Sequence, residues 1–269
     1  MIAVALVFLA CDPPKPPPPI GATTVVATIP DPVFDPAAQK LTPALGPAYG
    51  AIKAGRFDDA RKLAEDYMQN GGADAHRGQA EFVIGLAFHR QLFYDSASER
   101  FLRGLQLEPG FIETYYYAGH ALFNVGRLDE ARAAFAVFAR HHPDDPSTAF
   151  GQGLVEFEAD RIDAAEVHLQ RAIDLSTAQR AKVADPRAID ADLGRYKARL
   201  GDVYMRRDDV ARAKELFASA TSLRSESPEV WSKLAVACER LGDKAGAEKA
   251  WRKFTETTNL RAQNPVRSQ

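Results

Sequence analysis

The chain contains 269 residues, of which 46% are hydrophobic, which is enough for a buried core and too many for an intrinsically disordered protein. Its 34 Lys and Arg residues against 36 Asp and Glu leave a formal net charge of -2, so there is no basic excess for a phosphate backbone and nucleic acid is not an expected partner. Only Cys11 and Cys238 are cysteines, which excludes a disulfide framework and a Cys/His zinc cluster.

Residues 1–10 are almost wholly apolar and are followed by Cys11. Such a run is too short to span a bilayer but fits the apolar part of a secretion signal. Phe8-Leu9-Ala10-Cys11 resembles a bacterial lipobox, although Phe8 replaces the usual Leu or Val and no Lys or Arg precedes the run. The resemblance implies lipidation of Cys11 and an envelope location facing the periplasm or exterior. An untargeted apolar N-terminus in a cytoplasmic protein is the alternative.

The next segment, 12–40, is rich in proline. A proline run fixes φ and lacks backbone donors, so it forms a stiff polyproline II rod that holds the rest of the chain away from an anchor. Within this segment, the β-prone patch from Thr23 to Ile29 is interpreted as linker that is able to lie against the folded part.

The rest of the chain repeats with a period of 34 residues, and small residues align with small ones and large apolar residues with large ones. The aligned sets are Gly85, Gly119 and Gly153; Ala97, Ala131 and Ala165; Phe101, Phe135 and Leu169; Pro109 and Pro143; and, in two later blocks, Gly201 with Ala235, Ala213 with Ala247 and Phe217 with Trp251. This period predicts an all-α solenoid of helix pairs.

The residue types explain how each pair packs. Small residues on both helices let the backbones approach, and the large residue one turn after the second small one fills the space between units. Gly55 and Gly126 are expected to end first helices, and Asp58 and Asp129 to cap second helices.

This pattern resembles the tetratricopeptide-repeat (TPR) family, whose repeat reads W-x2-L-G-x2-Y, A-x3-F and P. The matches outside the A-x3-F part are Leu200-Gly201 with Tyr204, Ile84-Gly85 with Phe88, and Trp231 with Leu234. The resemblance implies a right-handed superhelix of about six repeats. The assigned segments are 1–11 (signal), 12–40 (linker), 41–74, 78–111, 112–145, 146–179, 194–227 and 228–261 (repeats), 180–193 (insertion) and 262–269 (disordered tail).

The insertion at 180–193 contains Asp185-Pro186, which is typical of an N-cap and first-turn proline. Apolar residues then recur at helical spacing, so the first helix of the fifth unit is expected to start early and to be unusually long. Either the insertion is tolerated within one solenoid, or it is a joint between four front units and two rear units.

The first helices of TPR units line the concave face, and the family resemblance places a peptide-binding groove there. The predicted groove residues are Phe82, Leu86, His89, Tyr116, His120, Phe123, Phe150, Leu154 and Phe157. Most are apolar, which suits an apolar strand or helix face and argues against the Lys/Asn carboxylate clamp of chaperone cofactors. Two alternatives stay open: the patch from Thr23 to Ile29 fills the groove, or these side chains are ordinary core.

The equivalent face of the rear units is charged and carries Arg195, Arg199 and Arg206. It is a candidate groove for an acidic segment, although a solvated helix face explains the same pattern.

Catalysis is not expected. His89, His120 and Glu158 stand on three predicted helices without ligand-like spacing, and no nucleophile elbow, phosphate loop or dinucleotide motif is present. We therefore predict no enzyme activity, cofactor, metal or small-molecule substrate.

A layout of six repeats behind a lipobox is similar to that of pilotins of type IV pilus secretins and of the TPR lipoprotein of β-barrel assembly machinery. The sequence thus predicts an envelope scaffold that binds protein partners and is attached to a membrane by lipid. A soluble adaptor is the second hypothesis and an enzyme the third.

Lipidation is testable by expressing the full chain in a bacterium with labelled palmitate. We expect the wild type to carry label and to sediment with membranes, and Cys11→Ser to lose both. Equal labelling and equal membrane association of the two proteins would contradict lipidation at Cys11.

Overall fold

A computed structural model describes residues 28–32, 35–71 and 76–263. Within these ranges the chain forms twelve α-helices, two short 3-10 helices at Pro36–Gln39 and Pro43–Leu45, and no β-strand. The helices are α1 Gly46–Lys53, α2 Phe57–Asn70, α3 Arg77–Arg90, α4 Tyr94–Leu107, α5 Glu113–Asn124, α6 Leu128–His141, α7 Pro146–Glu158, α8 Ile162–Arg180, α9 Arg187–Arg206, α10 Val210–Leu223, α11 Pro228–Arg240 and α12 Lys244–Gln263.

The helices pack in chain order. Each helix contacts the next, and the first helices of neighbouring units also touch, α3 against α5 and α5 against α7. This consecutive packing of six pairs is the solenoid that the 34-residue period predicts, and the predicted fold class is confirmed.

The small residues lie where the packing is closest. A Cβ on Gly85 would lie 2.7 Å from the Phe101 ring, and one on Gly201 would lie 2.5 Å from the Phe217 ring. Leu169 takes the same place against Gly153, at 2.7 Å. The second helix of each of these pairs therefore sets a large side chain directly on the backbone of the first.

Phe135 is held from two sides. A Cβ on Gly119 of α5 would lie 2.9 Å from its ring, and a Cβ on Gly151 of α7 would lie 2.6 Å from it. Because glycines of two successive units enclose the ring, Phe135 has no room to move away from an added methyl group.

The turns inside the pairs share one backbone geometry. Gly55, Gly126 and Gly242 have φ between 71° and 78°. Leu92, Asp160 and Asp208 occupy the equivalent positions with φ between 56° and 64°. In every turn the next amide donates to the carbonyl five residues earlier, as from Arg127 to Leu122 at 2.9 Å, which is the Schellman arrangement.

The expected aspartate caps are not formed. Asp58 and Asp129 lie inside the first turns of α2 and α6, whose N-cap residues are Arg56 and Arg127. Asp58 pairs with Arg61 at 2.5 Å instead. Acidic groups in a first turn interact favourably with the helix dipole. The aspartates therefore stabilise the starts of α2 and α6 without accepting a capping hydrogen bond.

The long helix after the insertion is present as α9, with 20 residues. Its N-cap residue is Pro186, and the Asp185 side chain accepts a hydrogen bond from the Arg187 amide at 3.2 Å. Leu193, Tyr196 and Leu200 belong to the same hydrophobic cluster as α7 and α8, so the hydrophobic core crosses the insertion without interruption.

The two ends of the repeat region differ from the segments that were assigned from the sequence. The first unit begins with the 3-10 turn at Pro43–Leu45 and a helix of only 8 residues, because Pro47 stands in the first turn of α1 rather than inside a longer helix. At the other end α12 continues to Gln263, so 262 and 263 are helical rather than part of a disordered tail. The tail from 264, the proline run and Cys11 lie outside the described residues.

The described part of the linker lies on the solenoid. Gln39 donates from Nε2 to the Gly110 carbonyl at 2.8 Å and accepts from the Ile112 amide at 3.2 Å. The Tyr115 hydroxyl donates to the Pro30 carbonyl at 3.1 Å. Gln79, only 1% exposed, accepts from the Thr42 amide at 2.7 Å. These partners lie at the starts of α3 and α5, and none is a predicted groove residue.

Gly119→Ala should lower the free energy of unfolding by about 1–3 kcal/mol, because the methyl group meets a Phe135 ring that Gly151 blocks from behind. Urea denaturation of the purified chain measures this change.

The matched control is Gly50→Ala in α1, where an added Cβ meets nothing within 4 Å. We expect this variant to be unchanged or more stable by up to about 1 kcal/mol. Two variants of equal stability would contradict the packing described for Phe135.

Candidate functional site

Helices α3, α5 and α7 carry the predicted groove residues, which separate by burial into two groups. Phe82, Leu86, Phe150 and Leu154 are between 2% and 8% exposed and belong to the hydrophobic core. The half-buried residues are His89, Tyr116, His120, Phe123 and Phe157. The core interpretation thus describes the first group, and only the second offers surface to a ligand.

The half-buried rings of α3 and α5 form one continuous cluster. The Tyr116 and His120 ring centroids are 4.6 Å apart, and those of His89 and His120 are 6.5 Å apart. Tyr117, also half-buried, joins them at 5.6 Å from His89 and 5.3 Å from Tyr116. We call the rings of His89, Tyr116, Tyr117 and His120 the front aromatic face.

Tyr117 is missing from the predicted site. It follows Tyr115 and Tyr116 in a run of three tyrosines, of which Tyr115 is fully buried. Its position three residues before His120 is the helical spacing that places two side chains on one face. That spacing is present in the sequence and is the signal that identifies Tyr117.

The two histidines are held neutral. Burial lowers the pKa of His89 from 6.5 to about 4, assisted by the charge of Arg90. Burial likewise lowers the pKa of His120 to about 4, assisted by His89 and Arg195. The His120 Nε2 atom is buried without a hydrogen-bond partner among the described residues.

The tyrosines of the face are also uncharged at neutral pH. Burial raises the pKa of Tyr116 and of Tyr117, and nearby acidic groups add to the increase, Asp145 for Tyr116 and Glu113 for Tyr117. The face therefore presents neutral rings and hydroxyl groups, which suits apolar and hydrogen-bonding contacts rather than the capture of a charge.

Arginines of α9 cover the two aromatic groove residues of α7. The Arg195 guanidinium lies 5.0 Å from the Phe150 ring centroid, and that of Arg206 lies 5.1 Å from the Phe157 ring centroid. Both arginines are also paired, Arg195 with Asp192 and Arg206 with Asp160, each at 2.9 Å. The apolar strip therefore does not run openly across α7, and the open rings are those of α3 and α5.

Arg199, the third predicted residue of the charged groove, pairs with Asp202 at 3.5 Å. Lys233 of α11 contacts the same carboxylate at 2.5 Å. The structure thus brings the charged residues of α9 and α11 together on one face.

The three candidate catalytic groups do not form a site. Glu158 is exposed, and in the described ranges it makes no hydrogen bond with His89 or His120. No group of three or more His, Cys, Asp or Glu side chains in the described ranges is arranged to hold a metal ion. A histidine whose pKa is about 4 is also a poor general base near neutral pH.

A polar cavity of about 520 Å³ opens where α6, α7, α8 and α9 meet. Its lining includes His142, Asp144, Asp145, Asp192 and Tyr196. Asp145 is committed to the fold, since its side chain accepts from the Ser147 amide at 2.7 Å and caps α7.

The profile of the tetratricopeptide-repeat family matches residues 116–180 and 198–253. These two stretches contain α6–α8 and α10–α11 completely, with the greater part of α5 and about half of α9 and of α12. The chain is a tetratricopeptide-repeat protein.

One relative is similar in sequence over part of the chain. The cell division cycle protein 27 homolog of Caenorhabditis elegans is 29% identical over 105 residues, or 39% of this TPR chain and 13% of that protein's length. The TPR chain therefore corresponds to a small part of that relative.

Two solved structures show how far the likeness extends. PilW, described as a widely conserved type IV pilus biogenesis factor, is 17% identical, with a TM-score of 0.64 over 86% of this chain and 96% of PilW. YrrB, described as a TPR protein with an unusual peptide-binding site, is 15% identical, with a TM-score of 0.50 over 74% of this chain and 96% of YrrB.

The described helices of this TPR chain include no candidate membrane span. None of those between residues 28 and 263 that the structure describes combines the length and apolar character that crossing a bilayer requires.

Acidification should destabilise this TPR fold through His89 and His120. The pKa of each is lower in the folded chain than in the unfolded one, so the full stability is present above pH 6.5 and falls as the pH drops toward 4. At pH 5 the loss is about 2 kcal/mol for each histidine. Urea denaturation at pH 7 and pH 5 measures it.

His120→Phe keeps a ring in place and removes the titrating group. We expect this variant to lose a smaller part of its stability between pH 7 and pH 5 than the wild type does. An identical loss in both proteins would contradict the assignment of this pH dependence to His120.

Proposed function

We propose that this TPR chain is a protein-interaction scaffold that binds an apolar peptide segment, or the apolar face of a helix, on the front aromatic face. The observation that carries the proposal is the cluster of half-buried, neutral rings on α3 and α5. Clustered surface aromatics are typical of binding surfaces, because each ring buries a large area at a small entropic cost.

The chemistry of the ligand follows from the charges. With both histidines and both tyrosines neutral near pH 7, a charged side chain would lose hydration on this face without gaining an opposite charge. An apolar residue, or a backbone group that accepts from a tyrosine hydroxyl, fits better. The description of YrrB as a protein with a peptide-binding site supports the same class of ligand.

The described linker does not occupy this face. Its hydrogen bonds go to Gln79, Gly110, Ile112 and Tyr115, at the starts of α3 and α5. The predicted filling of the groove by residues 23–29 concerns mostly positions outside the described ranges. We therefore propose an external ligand.

The second part of the proposal is the location. Attachment through Cys11 in the bacterial cell envelope is supported by the lipobox-like segment and the proline spacer. PilW is a structural relative whose description places it in type IV pilus biogenesis. A soluble adaptor without an anchor remains the alternative, and an absence of catalysis remains a prediction.

The proposal is tested with the double variant Tyr116→Ala/Tyr117→Ala. Peptides selected from a random library on the wild type should be rich in apolar residues. Their affinity for the double variant should fall by about 2 kcal/mol or more, because binding energy concentrates in a few aromatic anchors. Titration of the purified peptides measures the loss.

Tyr67→Ala on α2 is the matched control, since Tyr67 is half-buried and stands on a second helix outside the face. Its peptide affinity should match that of the wild type. Circular dichroism must show that the double variant keeps its helices. A folded double variant with unchanged affinity for every selected peptide would refute the aromatic face as the site.

A further inference from the structure

A second cavity, of about 250 Å³, lies on the rear units between α9, α11, α12 and the connection from α10 to α11. Five of its nine lining residues carry a positive charge. The charged lining residues are Arg195, Arg199, Arg224, Lys233, Arg261 and Glu229. We call it the rear basic cavity.

The positive charges exceed the acidic groups that face them. Arg195 pairs with Asp192, Arg261 pairs with Glu229, and Arg199 and Lys233 share Asp202. Five cationic side chains therefore face three carboxylates, and the cavity keeps a local excess of two positive charges on a chain whose formal net charge is -2.

Arg224 is the cation without an acidic partner. It follows α10, and no carboxylate of the described chain lies within ion-pair distance of its guanidinium. Its Nε atom is buried and has no hydrogen-bond partner among the described residues. The residue as a whole is half-buried, so the Nη groups of the guanidinium stay open to an anion that enters the cavity.

The backbone around Arg224 holds the side chain in place. A Cβ on Gly194 of α9 would lie 2.7 Å from Arg224 Cγ, so the missing side chain at Gly194 admits the arginine stem. The Arg224 amide donates to the Ala220 carbonyl at 2.9 Å, and its carbonyl accepts from the Ser227 amide at 3.1 Å. These contacts fix the backbone and the first carbons of the side chain beside the cavity.

The start of α11 borders the cavity and carries its own carboxylate, Glu229. Ser227 is the N-cap residue, but its hydroxyl donates to Glu229 at 2.8 Å and makes no capping bond. The first-turn amides of a helix carry partial positive charge, and in α11 the Glu229 carboxylate already lies beside them, so the arginines and Lys233 provide the excess positive charge of the cavity.

A neighbouring cavity is lined mainly by apolar side chains. It measures about 230 Å³, shares Lys233 with the rear basic cavity, and includes Met205, Phe217 and Val236 in its lining. Val236 is 39% exposed. The two cavities lie side by side on α9 and α11, so one extended segment can place a carboxylate in the first and an apolar side chain in the second.

We propose that the rear basic cavity binds an acidic protein segment through a side-chain carboxylate, with an apolar residue of the same segment in the adjacent cavity. The proposal rests on the scaffold function above, but it concerns a different surface. A small free oxyanion satisfies the arginines without using the apolar cavity, and it is therefore the competing outcome of the test.

The probe is a fluorescein-labelled eight-residue peptide that alternates Glu and Leu, with both ends blocked, and its comparison peptide has Gln in place of Glu. Fluorescence anisotropy with the full chain should show the Glu peptide binding about tenfold more tightly than the Gln peptide. Raising NaCl from about 50 to about 300 mM should weaken it, because salt screens exposed charges.

Arg224→Gln keeps most of the stem and removes the charge, and it should weaken the Glu peptide about tenfold. Arg252→Gln is the control, since Arg252 lies on α12 outside the cavity with its side chain 70% exposed. That control should bind as the wild type does. Lys233→Gln provides a second variant if Arg224→Gln does not fold.

The inference is overturned if folded Arg224→Gln and Lys233→Gln bind the Glu peptide as the wild type does. It is also overturned if the Gln peptide binds equally well, or if about 10 mM inorganic phosphate removes the peptide completely. Tyr116→Ala/Tyr117→Ala should bind the Glu peptide as tightly as the wild type does. The experiments therefore test binding at the rear basic cavity separately from binding at the front aromatic face.

Discussion

The structure depends on the contact between a large apolar side chain of one helix and a bare stretch of backbone on its partner. Phe101 on Gly85, Phe135 on Gly119, Leu169 on Gly153 and Phe217 on Gly201 are four copies of this contact. Each occupies space that a Cβ would fill, so it fixes both the spacing of the two helices and their register. Since the contact recurs in successive pairs, the face formed by the first helices is set by the same repeated geometry.

The features that result from this contact are the ones the sequence predicts. A period of 34 residues, carried by glycines and large apolar residues, is enough to predict helix pairs in consecutive order. The extended α9 is predicted for the same reason, because its apolar residues keep helical spacing through the insertion. Because the same packing contact recurs in successive units, its residues recur in the sequence and can be recognised there without a structure.

Features that depend on the contacts of one residue, and not on the repeated packing, are harder to predict from the sequence. Leu92, Asp160 and Asp208 adopt positive φ at turns where other units have glycine, since the Schellman hydrogen bonds outweigh their local strain. Phe82 and Phe150 are deeply buried, whereas Tyr116, which lies 34 residues from each of them, is half-buried. Which of these aromatics reaches the surface depends on its neighbours, such as the Arg195 guanidinium over Phe150, and the repeat pattern does not contain that information.

The linker has a consequence for how the solenoid bears mechanical load. Pro30 and Asp31 lie beside Tyr115 and Arg140, in the third unit, and Gln39 lies beside Gly110 and Ile112, before the start of the first unit. Tension applied through the chain that precedes residue 28 would act first on the Arg140–Asp31 ion pair and on the Tyr115 hydroxyl, and next on the hydrogen bonds of Gln39 and Gln79. These bonds would be loaded one after another rather than together, so the linker would detach from the solenoid before the helix pairs unfold. The segment thus gives the solenoid a built-in slack of about 3.3–3.6 Å for each residue released.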